Sequence, residues 1–298
     1  MNSSSARCVA CGHAPLDTIP DVPDLHVRPG AAYALRRCTA CGTMSLATSL
    51  TAEELNAIYP ADYYSYVDDG WRVRFLRWVH GLTYDRHRFK PAFRRLLEVG
   101  CGRGEFLSAI ARRGDVTGLE RSAAARSAAA KRGIDVIVGD VGNAGTFAEG
   151  TFDYVYSNHA FEHLEEPRRA LASIRRWLQP GGRLFIGVPN VGGAVARRYG
   201  KYWFHLAPPL HANSFSLEGL TALLTEFGFT IDRVQYNSDP LSIPMSAFFA
   251  RGGHATRIPV LAGLALAAAN FLVFPIAKVL DAASRGDCIE VHAWLGEK

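Results

Sequence analysis

Four side chains that can move protons lie in two stretches of the second half of the chain. Three of them, His159, Glu162 and His163, fall within a few residues after an apolar run, and His211 lies in a later segment without strong periodicity. Imidazole titrates near neutral pH, so a histidine can take a proton from a hydroxyl or an amine. These residues could instead pair with one another, cap a helix or pack. Their types indicate acid–base chemistry, with packing as the alternative.

The sequence earlier in the chain predicts the elements that would position these residues. Residues 96–99 are a short apolar run that predicts a buried strand, and apolar residues at helical spacing follow residue 104. Gly100, Gly102 and Gly104 lie between the two, and a second apolar run ends in Glu120. Strand, glycine turn, helix, strand and acid form the first half of a nucleotide-binding α/β unit.

The turn favours one class of nucleotide over another. Glycines let a ligand approach the main chain, and an acid about 20 residues beyond the first glycine, here Glu120, can accept both ribose hydroxyls. The dinucleotide pattern G-x-G-x-x-G is broken, because the third glycine comes one residue early and Glu105 takes its place. An acid beside a pyrophosphate is unfavourable, so we predict a nucleoside ligand without phosphates.

Two motifs in this region resemble a known family. E-V-G-C-G-R-G-E-F-L at 98–107 resembles motif I of class I S-adenosylmethionine-dependent methyltransferases, and G-L-E-R-S at 118–122 resembles their ribose-binding acid. The resemblance implies that Glu98 lines the methionine end of the cofactor and that Asp140 contacts the adenine. The implied cofactor-binding residues are Glu98, Gly100, Cys101, Gly102, Gly104, Phe106, Glu120, Arg121, Asp140, Val141 and Asn158. A glycine-rich turn in some other α/β protein, with Asp140 as a simple turn residue, is the alternative.

The resemblance also implies the fold. It is an α/β fold with a seven-stranded Rossmann-like sheet, in which the last strand lies antiparallel between the fifth and the sixth. We predict the remaining strands at 134–138, 152–156, 183–188, 231–236 and 288–295, and helices at 122–132, 166–178 and 217–227. Ligands in open α/β sheets bind beyond the carboxyl ends of the strands, so the residues after the fourth strand should meet the ligand.

The chemistry that the resemblance implies requires a base for some acceptors. Methyl transfer is an in-line displacement at a sulfonium carbon, so the enzyme must align the nucleophile and remove its proton where it has one. We expect His159 to be the base, with His211, Glu162 and His163 as further catalytic candidates. In some relatives an acid three residues before E-H helps to bind a divalent metal. His159 occupies that position here, and a second metal therefore stays an open question.

The acceptor is less determined than the cofactor. We expect a small molecule or a saccharide, including a lipid-linked one, with O-methylation favoured over C-methylation of a sugar. RNA methylation is an alternative, but residues 157–160 read S-N-H-A where exocyclic-amine methyltransferases carry N-P-P, and basic residues are dispersed. Nucleic acid is therefore not an expected partner. The same motifs would also suit a non-catalytic binding module or a nicotinamide oxidoreductase.

A separate metal site is predicted near the amino terminus. Cys8 and Cys11 form one C-x-x-C pair and Cys38 and Cys41 form another, each pair followed by glycine. This pattern is typical of a structural four-cysteine zinc ribbon. A disulfide pair and a ribbon that binds a partner are the alternatives. The proline-rich stretch between the pairs can bury little core, so a metal would have to hold it.

Length and composition also indicate how the chain is organised into domains. Its 298 residues and net charge of +5 suit about two domains and do not demand nucleic acid. We predict a zinc ribbon at 1–50, a helical linker or lid at 51–93 and the methyltransferase domain at 94–298. Residues 1–5 are polar, which predicts no signal peptide and a cytoplasmic protein, alone or at the inner face of the membrane.

An apolar insertion at 255–283 is unusual for the fold. Prolines at 259 and 275 leave an uninterrupted stretch shorter than the ~20 residues that a spanning helix needs. We expect a hairpin or a long helix that packs on the domain, forms a homodimer or makes peripheral contact with a membrane. Burial or dimerisation is favoured.

Overall fold

The structure is a computed structural model that describes residues 7–51, 54, 58, 78, 80–85, 88 and 90–296. Most of the predicted helical linker at 51–93 lies outside the described residues. The strands in chain order are β1 (Leu16–Pro23), β2 (Ala32–Cys38), β3 (Met44–Leu46), β4 (Arg95–Val99), β5 (Asp115–Glu120), β6 (Val136–Val138), β7 (Phe152–Asn158), β8 (Leu178–Pro189), β9 (Asn213–Ser214), β10 (Phe229–Tyr236) and β11 (Cys288–Leu295). The α-helices are α1 (Glu105–Ile110), α2 (Ala123–Ala130), α3 (Pro167–Trp177), α4 (Ala194–Tyr199), α5 (Leu217–Glu226), α6 (Ser242–Phe249) and α7 (Val260–Ala282).

Seven strands form one sheet in the order β10-β11-β8-β7-β4-β5-β6. The five strands from β8 to β6 are parallel, and β11 runs antiparallel between β10 and β8. This arrangement confirms the predicted seven-stranded sheet and the place of its last strand. The carboxyl ends of β4, β5 and β7 meet at one edge, which is where a ligand of such a sheet binds.

The core lies on both faces of this sheet because successive side chains of a strand point to opposite sides. On β4, Leu96 packs with Phe106 and Tyr156 on one face, and Leu97 packs with Trp177 on the other. These large side chains are all nearly inaccessible to solvent. The apolar run that predicted a buried strand is therefore buried on both faces.

The helix starts follow their capping residues. The Ser122 hydroxyl accepts from the backbone N–H of Ala125, and the Ser216 hydroxyl accepts from that of Gly219. Pro167 lies at the first position of α3, where its missing N–H has no intrahelical partner to lose. β8 begins at Leu178, directly after α3, so the strand starts earlier than the predicted residue 183.

The cysteine-rich region forms a second sheet in the order β1-β2-β3-β9. Its last strand comes from residues 213–214, and Ser45 pairs with Asn213. The Ser216 hydroxyl donates to the Cys41 carbonyl at 2.5 Å. The region predicted as a separate ribbon is thus joined to the rest of the fold by backbone pairing.

The apolar insertion is one continuous helix, α7, of 23 residues. Of the two expected forms, a hairpin and a long helix, the structure has the long helix, which runs through Pro275 on its exposed side. Among the described helices, the segment Ala262–Ala282 is long and apolar enough to cross a membrane by length and composition alone. The expectation that this helix is buried holds for one side only, since 11% of the residues in its most apolar 18-residue stretch are buried.

Candidate functional site

The glycine turn after β4 has a backbone that favours glycine at each of its three positions. Gly100, Gly102 and Gly104 have φ values of 73°, 49° and 68°, in the left-handed region that other residues rarely adopt. A Cβ on Gly100 would lie closer than 3.0 Å to Cβ of Ala160. Ala160 follows β7, so the two segments that carry the predicted cofactor and catalytic residues touch at Gly100.

Glu120 closes this turn from the end of β5. Its carboxylate accepts from the backbone N–H of Gly102 at 3.1 Å, of Arg121 at 2.7 Å and of Ser122 at 3.2 Å. A carboxylate offers about four lone-pair sites, so one remains for a ligand. Two ribose hydroxyls would therefore fit only if they replaced the bond from Gly102. The residue is nearly buried, which makes such charge-assisted hydrogen bonds strong.

The other predicted cofactor residues lie around this edge in different environments. Glu98, Val141 and Asn158 are buried, whereas Arg121 and Asp140 are exposed. Asp140 accepts from the backbone N–H of Gly142 at 2.6 Å, so it also has the geometry of the turn residue that was the alternative.

Two more of the predicted cofactor residues have their side chains in the core. Cys101 packs over Gly118, and Phe106 stacks on Tyr156 with ring centroids 4.1 Å apart. The side chain of Phe106 therefore belongs to the core, and only its backbone faces the turn.

Glu105 is partly neutralised in the structure. Its carboxylate forms an ion pair with the buried Arg103 at 2.6 Å. The repulsion that we expected between Glu105 and a pyrophosphate is weaker than the sequence alone indicates. Exclusion of a dinucleotide therefore rests on the spacing of the glycines more than on this charge.

His159 is held in a strained conformation at the carboxyl end of β7. Its φ is 51°, which is uncommon for a residue other than glycine, and its N–H donates to the Gly187 carbonyl at 2.9 Å. Nε2 lies 2.8 Å from the Tyr84 hydroxyl, and Nδ1 lies 3.4 Å from Oε1 of Glu162. The arrangement suits the tautomer in which Nδ1–H faces the carboxylate and Nε2 accepts from Tyr84. Backbone strain of this kind clusters at functional sites.

Glu162 is the centre of a histidine cluster. Its side chain is 1% exposed, and the rings of His163 and His211 lie 4.8 Å apart beside it. Burial raises the pKa of Glu162, but the imidazoles of His159 and His163 outweigh burial and lower that pKa to about 2. Burial and the charge of His163 lower the pKa of His211 to about 3. At neutral pH the cluster therefore holds an ionised carboxylate beside an uncharged His211.

Backbone carbonyls orient two of these imidazoles. Nδ1 of His163 lies 2.7 Å from the Leu210 carbonyl, and Nδ1 of His211 lies 2.7 Å from the His205 carbonyl. Glu162, His163 and His211 each offer a possible ligand atom, and these atoms lie within 4.8 Å of one another. Such a donor set suits a divalent cation. The position that carries an acid in some relatives is His159 here, and the structure brings His211 to the cluster.

Three neighbours of this cluster were missed from the sequence. Tyr84 contacts His159 directly, and His205 lies 3.6 Å from Oδ2 of Asp287. Burial, with the charge of Asp239 adding to it, raises the pKa of Asp287 to about 7, and burial lowers that of His205 to about 4. Tyr84 sits in a basic, amphipathic segment and Asp287 just before the last strand, where nothing in the sequence distinguishes them.

The four predicted zinc ligands come together. Sγ of Cys8 lies 3.6 Å from Sγ of Cys41, and Sγ of Cys11 lies 3.5 Å from Sγ of Cys38. A tetrahedron with Zn–S bonds of about 2.3 Å has edges of about 3.8 Å, so the four sulfurs fit one zinc ion. Gly12 and Gly42 have φ values of 72° and 78°, as the two turns require.

Comparison with known proteins identifies the family of the chain. A sequence model described as a methyltransferase domain matches residues 71–234, which include the glycine turn and the histidines that follow β7. The ubiquinone biosynthesis O-methyltransferase of Xanthomonas axonopodis pv. citri is 32% identical over 116 residues, which are 37% of this chain and 48% of that protein. The trans-aconitate 2-methyltransferase of Deinococcus radiodurans is 33% identical over 100 residues, 33% of this chain and 38% of that protein.

The chain thus spans about half the length, or less, of the curated relatives that it matches. A solved structure from Thermotoga maritima, described as a SAM-dependent methyltransferase and possible histamine N-methyltransferase, superimposes with a TM-score of 0.51 at 20% identity. The match covers 75% of this chain and 95% of that one. At this identity the likeness shows the fold.

Proposed function

Since the chain belongs to the methyltransferase-domain family, we propose that it transfers a methyl group from S-adenosylmethionine to a small-molecule or saccharide hydroxyl. One observation carries the proposal. The chain of contacts Tyr84–His159–Glu162 stands at the carboxyl end of β7, and the residue next to it, Ala160, touches the glycine turn at Gly100. The proposed base and the proposed nucleoside site would therefore be neighbours.

The residues of the turn fit the cofactor. Glu120 would hold the ribose hydroxyls, and the left-handed glycines would let the nucleoside approach the main chain. Glu98, buried at the end of β4, would face the methionine end. The cofactor supplies an electrophilic methyl group bound to a sulfonium, and its leaving thioether is neutral. The protein therefore needs no acid for the leaving group.

What the protein must supply is a place for the acceptor's proton. A hydroxyl that approaches Tyr84 can give its proton to the phenol oxygen as Tyr84 passes its own proton to Nε2 of His159. The imidazolium that results lies 3.4 Å from the ionised Glu162, which stabilises it. This is the nucleophile–base–acid logic of catalytic triads, with the acceptor as nucleophile.

The acceptor class follows from the relatives and the aromatic surroundings. Both curated relatives named above are described as methyltransferases in small-molecule chemistry. Phe204, which is partly exposed, contacts the ring of His205 at 4.8 Å between centroids and provides flat apolar surface near the base. A sugar ring or an aromatic ring could stack there. C-methylation of a sugar needs a carbon acid in place of the hydroxyl and the same base.

The zinc ion has a structural role in this proposal. The four cysteines would complete a tetrahedron around the ion, which would leave no open position for catalysis. We place the ribbon at residues 1–50 and the methyltransferase domain at 94–298, with β9 joining them.

The test separates cofactor binding from chemistry. Purified protein is offered S-adenosylmethionine and a panel of hydroxylated small molecules and saccharides, and mass spectrometry detects products heavier by one methylene unit. His159→Ala should lower kcat by about 10²–10⁴-fold and Tyr84→Phe by a smaller factor, both with unchanged cofactor affinity by calorimetry. His13→Ala, which changes an exposed histidine outside the cluster, is the matched control.

Two outcomes contradict the proposal. Full activity in His159→Ala would show that His159 is not the base. Cofactor binding without any turnover across the panel, in wild-type protein that is folded and zinc-loaded, would favour a binding module.

A further inference from the structure

The outward face of α7 is apolar apart from the half-exposed Lys278, whose ammonium pairs with Asp281 at 3.0 Å. Every exposed position between residues 264 and 279 carries an apolar side chain, while the polar Asn270 is 2% exposed and faces the protein. The exposed residues are Leu264, Ala265, Ala268, Phe271, Leu272, Pro275, Ile276 and Val279. A surface helix in water normally shows the reverse pattern, with polar residues outward.

Exposed apolar side chains are concentrated at this one place. Among the described residues eight large apolar side chains are exposed: Leu264, Phe271, Leu272, Ile276 and Val279 of α7, Trp78, Leu82 and Val138. Trp78 and Leu82 belong to the segment that contacts α7, since Asn270 Nδ2 donates to Thr83 Oγ1 at 2.6 Å. Five of the eight lie on the outward side of α7, which we call the apolar face. Apolar surface of this extent marks an interaction site.

Exposed arginines lie near both ends of α7. Arg251 and Arg257 are exposed just before α7, and Arg285 is exposed just after it. Arginines at the margin of exposed phenylalanine and leucine are the pattern of helices that lie on anionic membranes.

Contacts at both ends hold α7 along the protein surface. Ahead of the helix, the N–H of Ala255 donates to the Leu25 carbonyl at 2.9 Å. At its end, the Ser238 hydroxyl donates to Asp281 at 2.6 Å, and β11 follows within the large sheet. A helix fixed at both ends and at Asn270 lies parallel to a surface, because spanning would pull β11 out of the sheet.

We propose that the apolar face rests on the surface of an anionic lipid bilayer, with α7 in the plane of the interface. Phe271, Leu272 and Ile276 enter the acyl boundary, and the flanking arginines contact the headgroups. This surface is independent of the methyl transfer proposed above.

Vesicle flotation of the full-length, zinc-loaded protein tests the proposal. Wild-type protein should float with vesicles of phosphatidylcholine containing phosphatidylglycerol, and less with phosphatidylcholine alone. Raising the salt from about 0.1 M to about 0.5 M should weaken binding, because it screens the flanking arginines. Leu272→Gln with Ile276→Gln should lower the partition coefficient by at least about tenfold, since each residue loses apolar burial. Val138→Gln, which changes an exposed apolar residue outside this face, should have no effect.

Three results would overturn the proposal. One is wild-type protein that fails to float with phosphatidylglycerol vesicles while its circular dichroism shows a folded chain. Another is a wild-type dimer in light scattering that the double variant dissociates, which would show that a second copy covers the face. The third is protein that resists extraction by alkaline carbonate, which would indicate a spanning segment. Binding that is lost in the double variant of unchanged melting temperature supports the bilayer.

Discussion

Replacing Gly100 by alanine should lower both the stability of the fold and the affinity for the cofactor, and the two effects can be measured separately. The residue has a φ of 73°, and a left-handed conformation costs an alanine about 1–2 kcal/mol. The new Cβ would also lie closer than 3.0 Å to Cβ of Ala160, where carbon atoms normally stay about 3.5–4.0 Å apart. Overpacking of this kind costs about 1–3 kcal/mol. Together the two effects predict a loss of about 2–5 kcal/mol.

A second variant isolates the steric part. Ala160→Gly removes the atom that Gly100→Ala would strike, so the double variant keeps the backbone strain and loses the clash. We expect it to recover about 1–3 kcal/mol relative to Gly100→Ala. Urea denaturation gives the free energy of unfolding of the three variants, and calorimetric titration gives the dissociation constant for S-adenosylmethionine. Affinity should fall in Gly100→Ala and return in part in the double variant.

The two readouts can refute the reasoning separately. A Gly100→Ala protein as stable as wild type would show that the turn accommodates a side chain. A Gly100→Ala protein that is destabilised but binds the cofactor with unchanged affinity would place the nucleoside elsewhere.

Three further predictions concern buried charge and zinc. Glu162→Gln should destabilise the protein by about 3 kcal/mol at neutral pH, since each pKa unit below the usual value is worth about 1.4 kcal/mol. This loss of stability should vanish as the pH falls from about 4.5 to about 2, and a loss that does not depend on pH would contradict the prediction. Relative to wild type, Asp287→Asn should gain up to about 4 kcal/mol of stability as the pH rises from about 4 to about 7, because burial raises the pKa of Asp287 to about 7 and the unfolded chain therefore ionises this carboxyl at a lower pH than the folded chain does. Parallel pH profiles of the two proteins in urea unfolding would contradict this prediction. Cys38→Ser should lower the zinc content measured by elemental mass spectrometry and unfold the N-terminal sheet while cofactor binding persists. Complete loss of cofactor binding would show that the ribbon does not fold independently of the methyltransferase domain.

The parts of the fold that could be read from the sequence are those fixed by local patterns. The strand, glycine turn, helix and acid from residue 95 to 120 lie where apolar spacing and glycines predicted them. Ser122 and Ser216 cap their helices as their side-chain chemistry requires. The antiparallel place of β11 followed from the family resemblance and is confirmed.

The parts that could not be read depend on contacts between distant segments. Tyr84 reaches His159 from 75 residues away, and Asp287 reaches Trp203 from 84 residues away. Neither contact leaves a periodic signal, because a single side chain is brought there by the packing of whole elements. β9 is two residues long, and it is a strand only because it pairs with β3. The apolar spacing alone left a hairpin and a long helix open at Pro275, and α7 continues through this proline.

The measurement that tests the central claim most directly is calorimetric titration of the zinc-loaded protein with S-adenosylmethionine, beside NADH, for wild type and two acid variants. Wild type should bind one S-adenosylmethionine and no NADH. Glu120→Gln should weaken binding by at least about tenfold, since hydrogen bonds to a charged group contribute about 1.5–3 kcal/mol each. Glu105→Gln should bind as wild type does, because its carboxylate pairs with Arg103 and faces no ribose. Equal affinity in Glu120→Gln and wild type, or tighter binding of NADH than of S-adenosylmethionine, would contradict the assignment.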